Sequence, residues 1–277
     1  MAKRVYIGVN DVARKVKKIY IGVGDLARKV KKAYIGVGGV ARPFFSSGEL
    51  VYYGTITPLS LARGYLAATT VGNYALFGGG HNGTLRAIVD AYDTSLTRTT
   101  PTELSRQRSD FAATTVGNYA LFGGGKWSSG STPTVDAYDM SLTRTIPTEL
   151  SVSRRYLAAT TVGNYALFGG GSSSKYCNTV DAYDTSLTRT IPTALSLKRD
   201  YLAATAIGNY ALFGGGYGES DYLNTVDAYD ISLTRTTATS LAKARYNLAA
   251  TTVGNYALFG GGRGDNVLST VDAYTVA

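Results

Sequence analysis

The chain has 277 residues, with 28 Lys and Arg against 19 Asp and Glu, a net charge of +9 and a hydrophobic fraction of 44%. This length and composition fit one large folded domain and exclude a chain that is disordered by composition. Because 33 Gly and 22 Tyr accompany only 17% charged residues, strands and tight turns are favoured over a helical bundle.

The single cysteine and the single histidine exclude several kinds of site. Cys177 has no second cysteine to pair with, so a disulfide framework is excluded, and His81 alone cannot build a Cys/His zinc site. We therefore expect no metal and no cofactor. The first residues are basic but lack the apolar run of a secretory signal, and no stretch has the length and hydropathy of a membrane span. We expect neither secretion nor membrane insertion.

The excess positive charge lies in the N-terminal part of the chain. Residues 1–45 contain 11 of the basic and two of the acidic residues, which leaves 17 of each in residues 46–277. This segment repeats Y-I-G-V with a period of 14, beginning at Tyr6, Tyr20 and Tyr34. Each copy precedes two residues drawn from Gly, Asn and Asp and then a basic stretch. We favour basic strands joined by hairpin turns in a meander. The alternative is helices with Asp11 and Asp25 as N-caps.

The basic meander is too small and too charged to bury a core alone, so it needs more copies of itself or another protein as a partner. Its Lys and Arg alternate with Val, Ile and Tyr at a strand period, which favours solvated or partner-facing strands over nucleic-acid binding. The Y-I-G-V repeats resemble segments of tail and fibre proteins of bacteriophages. The resemblance implies a base for virion attachment or self-assembly over residues 1–45, with residues 46–49 as the junction to a distal head.

Residues 50–277 contain five repeats of about 45 residues. The string G-N-Y-A-L-F-G-G-G occurs five times without a change, and a V-D-A-Y element follows each copy. The five copies begin at Gly72, Gly117, Gly163, Gly208 and Gly254. Each repeat predicts four short strands, A-A-T-T-V, Y-A-L-F, V-D-A-Y-D and S-L-T-R-T. A four-stranded antiparallel sheet that recurs at this period is typical of a propeller blade.

The ends of the repeat array predict a closed ring. The fifth repeat stops after V-D-A-Y and lacks a fourth strand, whereas the segment 50–60 matches the end of a repeat such as 143–151. We therefore predict an all-β, five-bladed propeller in which an N-terminal strand completes the last blade.

The succession of Arg, a strand pair ending in G-G-G, and V-D-A-Y-D resembles the Kelch repeat. This resemblance implies a Kelch-type propeller over residues 50–277. The chain departs from that family in lacking a Trp after the Y-D element, and in having five blades where six or seven are commoner. Kelch propellers include binding modules and a few copper oxidases, so the resemblance alone does not choose a function.

The five repeats differ almost only on one side of the predicted blades. There, the loop after G-G-G and the two positions after a constant Arg vary, while the turns on the opposite side are nearly constant. One interpretation is that loops drift because they carry little packing; we favour recognition, because the opposite turns are equally exposed and have not drifted. The candidate ligand-binding residues are Gly64, Tyr65, His81, Asn82, Ser109, Asp110, Lys126, Trp127, Arg155, Tyr156, Lys175, Tyr176, Asp200, Tyr201, Tyr217, Asp221, Tyr222, Tyr246, Asn247, Arg263 and Asp265.

The variable residues combine aromatic rings with small polar groups, as antibody paratopes do, and such a mixture also suits sugar rings.

The other motifs in the sequence are weaker indications of a function. The Asp of V-D-A-Y and the constant Arg occur once per repeat, which indicates structural pairs or turn ligands rather than catalytic charges. No Lys-Ser/Thr follows G-G-G, as a phosphate loop would require. The Arg263-Gly264-Asp265 triplet is expected often by chance, and nothing beside Cys177 would lower the pKa of its thiol.

These observations predict a non-enzymatic recognition protein that presents its variable side to a surface glycan or protein. With the phage resemblance, the expected location is a virion, and otherwise the cytoplasm. The alternatives are a structural decoration without a ligand and, less favoured, a propeller enzyme, because a copper oxidase needs more His, Tyr and Cys ligands than one His allows.

Overall fold

The computed structural model describes residues 6–9, 12–15, 19–23, 26–30, 32–37, 40–46 and 52–276. It divides into two units, Met1–Thr55 and Ile56–Ala277. Every regular element in the described ranges is a β-strand, so the predicted all-β class is confirmed. Within the same ranges no helix has the length and hydropathy that crossing a membrane requires.

The first unit contains three antiparallel hairpins. They are formed by β1 (Tyr6–Val9) with β2 (Val12–Lys15), β3 (Ile19–Val23) with β4 (Leu26–Val30), and β5 (Lys32–Val37) with β6 (Val40–Ser46). The strands predicted from Y-I-G-V are therefore present, and the helical alternative is wrong. The described strands pair two by two, as three separate hairpins rather than as the predicted meander.

The second unit contains five antiparallel sheets, one per repeat, numbered here sheet 1 to sheet 5. Sheet 1 has β7 (Ala67–Val71), β8 (Tyr74–Gly78), β9 (Val89–Tyr92) and β10 (Arg98–Thr99). Sheet 2 has β11 (Ala112–Val116), β12 (Tyr119–Gly123), β15 (Val135–Tyr138) and β16 (Arg144–Thr145), and its loop holds the short pair β13 (Lys126–Trp127) and β14 (Gly130–Ser131). Sheet 3 has β17 (Ala158–Val162), β18 (Tyr165–Gly169), β19 (Val180–Tyr183) and β20 (Arg189–Thr190). Sheet 4 has β21 (Ala203–Ile207), β22 (Tyr210–Gly214), β23 (Val226–Asp230) and β24 (Arg235–Ala238). Sheet 5 has β25 (Ala249–Val253), β26 (Tyr256–Gly260) and β27 (Val271–Tyr274).

Within each sheet the strands pair in chain order, and the register is the same from one repeat to the next. The first three predicted strands of each repeat are confirmed. The fourth is shorter than the predicted S-L-T-R-T, because its Ser and Leu belong to a tight turn. In sheet 2 the Asp139 carboxylate accepts hydrogen bonds from the backbone N–H groups of Ser141 and Thr143 at 2.8 and 2.9 Å, and Leu142 has a φ of 61°.

The hydrophobic core lies between consecutive sheets. Each sheet has an aliphatic face, which in sheet 2 carries Leu121, Val135 and Ala137, and an aromatic face, which in sheet 3 carries Phe168 and Tyr183. The aliphatic face of one sheet packs on the aromatic face of the next, and this arrangement occurs four times, between sheets 1 and 2, 2 and 3, 3 and 4, and 4 and 5. The strict alternation of a strand's side chains produces the two faces.

The two ends of the array lack this cover. On the aliphatic face of sheet 5, Val253 and Val271 are each 60% exposed, whereas Val135 and Val180 at the place of Val271 are fully buried. At the other end Phe77 is only half-buried, whereas Phe122 is fully buried. Sheet 5 has three strands, and Ile56–Ser60, part of the segment predicted to complete it, forms no strand. Leu50 and Val51 of that segment lie outside the described residues.

Candidate functional site

The variable positions of each repeat lie next to each other in the structure. The residue directly after the constant Arg forms a backbone bridge with the residue directly after G-G-G. The five bridges are Gly64 with His81, Ser109 with Lys126, Arg155 with Ser172, Asp200 with Tyr217, and Tyr246 with Arg263. The loops that comparison of the repeats singled out therefore form one paired element per repeat, and we call these five elements together the variable surface.

The second position after the constant Arg links neighbouring repeats. Tyr65, Asp110, Tyr156, Tyr201 and Asn247 all have a left-handed backbone, with φ between 50° and 57°. Four backbone hydrogen bonds join them. The Asp110 N–H donates to Tyr65 O at 3.3 Å, and the N–H groups of Tyr156, Tyr201 and Asn247 each donate to the carbonyl of the preceding repeat at 3.0 Å. This conformation is uncommon for residues other than Gly, Asn and Asp, so the three tyrosines do not signal it. The backbone row sets the spacing of the side chains above it.

Six tyrosines from repeats 3, 4 and 5 form a continuous row on the variable surface, which we call the tyrosine cluster. Its members are Tyr156, Tyr176, Tyr201, Tyr217, Tyr222 and Tyr246, all half-buried. The rings of Tyr156 and Tyr201 are stacked with centroids 4.1 Å apart, and those of Tyr222 and Tyr246 are stacked at 5.5 Å. The two pairs are joined by Tyr201 and Tyr246, whose ring centroids are 6.0 Å apart, and Tyr217 adds Tyr176, with its centroid 5.9 Å from those of Tyr176 and Tyr246. All six were among the candidate residues.

Other candidate aromatics lie outside this set of ring contacts. Tyr65 stacks on His81 at 4.8 Å in repeat 1. Trp127 in repeat 2 lies under the guanidinium of Arg106, whose Cζ is 4.1 Å from the ring centroid. Arg106 was not among the candidate residues, and no pattern in the repeats singles it out. The structure thus places the aromatic anchors in separate groups along the variable surface rather than in one pocket.

A buried carboxylate lies beside the tyrosine cluster. Asp200 is 5% exposed, and its Oδ2 accepts a 2.7 Å hydrogen bond from the Ser172 hydroxyl of the preceding repeat. Burial raises the pKa of Asp200, while the Ser172 hydrogen bond and the Arg155 charge act in the opposite direction. The pKa of the Tyr176 phenol is raised as well, by burial and then by the charge of Asp200. The site therefore combines rings with a hydrogen-bonded acidic group.

Two open grooves cross the variable surface between neighbouring repeats. One, of about 460 Å³, lies between repeats 3 and 4 and is bordered by Asn178, Lys198 and Asp221. The other, of about 490 Å³, lies between repeats 4 and 5 and is bordered by Tyr222, Lys243 and Asp265. Both have the size of small-molecule sites and are bordered by charged and polar groups, and Tyr222 of the tyrosine cluster borders the second.

The remaining candidates make local contacts. Asn82 accepts two hydrogen bonds from the Arg86 guanidinium at 2.9 and 3.0 Å, and Asp110 accepts one from the Ser109 hydroxyl at 2.8 Å. Lys126, Lys175, Asp221 and Asn247 are exposed on the loops. These residues belong to the variable surface but are not gathered into the tyrosine cluster.

The repeated Arg and Asp form the structural pairs that the sequence indicated. Arg108 lies 2.7 Å from Asp136 and Arg154 lies 2.6 Å from Asp181, and all four side chains are fully buried. The G-G-G run also has a packing role. A side chain on Gly124, which has a φ of 74°, would come within 2.7 Å of the Arg154 carbonyl oxygen. Close contact between repeats, rather than phosphate binding, accounts for this glycine.

The thiol of Cys177 is half-buried, and burial raises its pKa. Within the described ranges no group of three or more His, Cys, Asp or Glu side chains is arranged to hold a metal ion. What the site offers is therefore aromatic surface, a buried carboxylate and hydrogen-bonding loops. No protein-family model and no curated protein matches this chain.

Proposed function

We propose that this protein is a non-enzymatic recognition protein that binds a surface glycan or protein through the variable surface. The observation that carries the proposal is the tyrosine cluster, in which residues distant in sequence meet on the one side where the repeats differ. Tyr rings offer large contact areas and lose little conformational entropy on binding, which makes them effective anchors.

The surroundings of the cluster support the same proposal. Half-buried rings remain available for stacking on a sugar or an apolar side chain, while the two grooves present Lys198, Lys243 and Asp265 for hydrogen bonds. The repeats are nearly identical in their strands but differ in these loops. This is the pattern expected of a scaffold that binds a ligand through one side.

We also propose that the five sheets are the blades of a Kelch-like propeller. The segment before repeat 1 supports this, because it contacts sheet 1 as the inter-sheet connections contact the later sheets. The Tyr92 hydroxyl donates to Thr57 O at 2.8 Å, and the equivalent Tyr138 hydroxyl donates to Thr102 O at 2.7 Å. Likewise, the Ser60 N–H donates to the Asp90 carboxylate, and the equivalent Ser105 N–H donates to that of Asp136. The segment thus resembles a connection leaving a fourth strand, the one that sheet 5 lacks. Closure of the five blades into one ring stays a prediction.

The basic hairpins of residues 1–45 complete the proposal as an attachment or self-assembly segment. Their Y-I-G-V repeats resemble phage tail and fibre proteins, which supports a location in a virion with the repeat unit as the distal, receptor-binding part. Deleting residues 1–45 should then abolish incorporation into the particle while ligand binding by the remainder is retained.

The binding surface is tested by truncating Tyr176 and Tyr222 to Ala together with Trp127, and measuring binding on glycan and cell-surface protein arrays. We expect the triple variant to lose binding, since it removes aromatic anchors from repeats 2, 3 and 4. The matched control is Tyr210→Ala, which truncates a 39% exposed tyrosine of a constant turn.

Equal binding by the triple variant and the wild type would overturn the proposed surface. A wild-type protein that binds nothing on either array, while still entering the particle, would favour the alternative of a structural decoration.

A further inference from the structure

The two ends of the repeat array carry complementary faces that nothing in the described chain covers. Sheet 5 exposes its aliphatic face, where Val253 and Val271 are each 60% exposed, and on the aromatic face of sheet 1 Thr70 is exposed and Phe77 is only half-buried. Exposed apolar patches of this kind mark interaction surfaces. The two end faces are complementary, because an aliphatic face packs on an aromatic face four times between the sheets of this chain.

The internal contacts specify how the ends would fit. In sheets 1 to 4 a side chain on the glycine that ends the second strand would meet the Phe of the next sheet, as a Cβ on Gly123 would come within 2.7 Å of Phe168. At the end of the array a Cβ on Gly260 would meet only Val271 of its own sheet, and the Phe that corresponds to Phe168 in sheet 1 is Phe77. The hairpin glycines show the same pattern. A Cβ on Gly117 would lie 3.0 Å from Thr185 of the next repeat, whereas a Cβ on Gly254 would have no neighbour within 4 Å.

At both ends of the described array, the polar groups that join consecutive sheets also lack a neighbouring sheet to contact. The hydroxyls of Thr69 and Thr115 are 2.8 Å apart, and those of Thr114 and Thr161 are 2.9 Å apart, so a Thr of one first strand meets a Thr of the next. The corresponding residues at the two ends are Thr251 of sheet 5 and Thr70 of sheet 1, both exposed. The backbone row of the variable surface likewise starts at Tyr65 and ends at Asn247.

We infer that sheet 5 of one chain packs on sheet 1 of a second copy, head to tail, through the same contacts that join the sheets within the chain. Both faces are formed and at least partly exposed in the described unit, so each is available to a second copy. A head-to-tail interface uses two different surfaces, and it closes into a ring or continues as an open array according to the rotation between copies. The segment before repeat 1 of the second copy then supplies the strand that sheet 5 lacks.

The test is the molar mass of the full chain by light scattering over a dilution series, for the wild type and for Val271→Asp. A charge on this face should reduce an assembly of two or more chains to a smaller one, because it places a carboxylate in an apolar interface. The matched control is Ile191→Asp, since Ile191 is 56% exposed on the outer edge of sheet 3 and lies outside the proposed interface. It should keep the wild-type mass.

A second variant, Thr251→Arg, guards against misfolding of Val271→Asp, because it adds bulk at a polar, exposed position of the same face. Loss of mass in both variants, with thermal unfolding unchanged at low concentration, supports the inference. A wild type that is monomeric throughout the series overturns it. So does an assembly whose mass neither variant changes, because the basic hairpins alone would then join the copies. Monomeric protein in which both variants lower the unfolding temperature would show that sheets 1 and 5 of one chain close the ring.

Discussion

At the scale of single residues, the buried ion pairs of the repeats are the contacts that depend most on both partners being present. Asp181 illustrates them, since its carboxylate lies 2.6 Å from the Arg154 guanidinium and accepts a 2.9 Å hydrogen bond from the Ser151 backbone N–H. Both charged side chains are fully buried, and burial lowers the pKa of Arg154 against the opposing effect of Asp181. The pair therefore fixes the connection, the second strand and the third strand of one repeat together.

Asp181→Ala should destabilise the second unit strongly, because it leaves the Arg154 guanidinium buried without a counter-charge. Removing one partner of a buried pair costs about 3–5 kcal/mol. The free energy of unfolding in urea, followed by fluorescence, measures the loss. Asp272→Ala is the matched control in the terminal sheet, where the Asp side chain is 18% exposed and the loss should be smaller. Equal losses would contradict the assignment of the cost to burial.

At the scale of elements, the strand pattern was readable from the sequence because repetition and side-chain alternation both point to the same four strands. The two deviations have local causes. The fourth strand is short because residues such as Leu142 adopt a left-handed backbone in the preceding turn, which a leucine does not signal. The variable surface was also readable, from the differences between repeats. The sequence could not predict which rings touch, because the contact of Tyr217 with Tyr246 depends on how sheet 4 packs on sheet 5.

The third strand of each sheet is tied to the preceding connection by a tyrosine hydroxyl. The hydroxyls of Tyr138, Tyr183 and Tyr229 donate to backbone carbonyl oxygens at 2.7 Å, and burial raises their pKa above the ordinary value of 10. These bonds need the neutral phenol.

Stability should accordingly fall as the pH rises above 10, since the unfolded chain then loses protons that the folded chain retains. Below that pH the contribution is fully present. Tyr183→Phe should cost about 1 kcal/mol at neutral pH through the lost hydrogen bond, and should make the alkaline decline shallower. Urea midpoints measured at neutral pH and above pH 10 check both effects, with the exposed Tyr210→Phe as control. A decline as steep in Tyr183→Phe as in the wild type would refute this role.

At the scale of the second unit, the sheets form a nearly one-dimensional array in which each contacts its neighbours. In such arrays stability is close to a sum of repeat and interface contributions, and the terminal repeats are the weakest unless they are capped. Sheet 3 is covered on both sides, whereas sheets 1 and 5 are each covered on one side. Assembly of copies through the end faces would therefore stabilise the ends most, and would leave the middle nearly unchanged.

Amide hydrogen exchange of the full chain distinguishes the ends from the middle. In the wild-type assembly the strands β25 to β27 should be protected nearly as well as β17 to β19, because a second copy covers them. In Thr251→Arg the terminal strands should exchange faster while sheet 3 keeps its protection, since local opening follows the number of covered faces. Mass spectrometry of peptides from the two regions gives the comparison within one sample. If sheet 3 and sheet 5 lost protection together, the unit would open as a whole and the interface would not act on its ends.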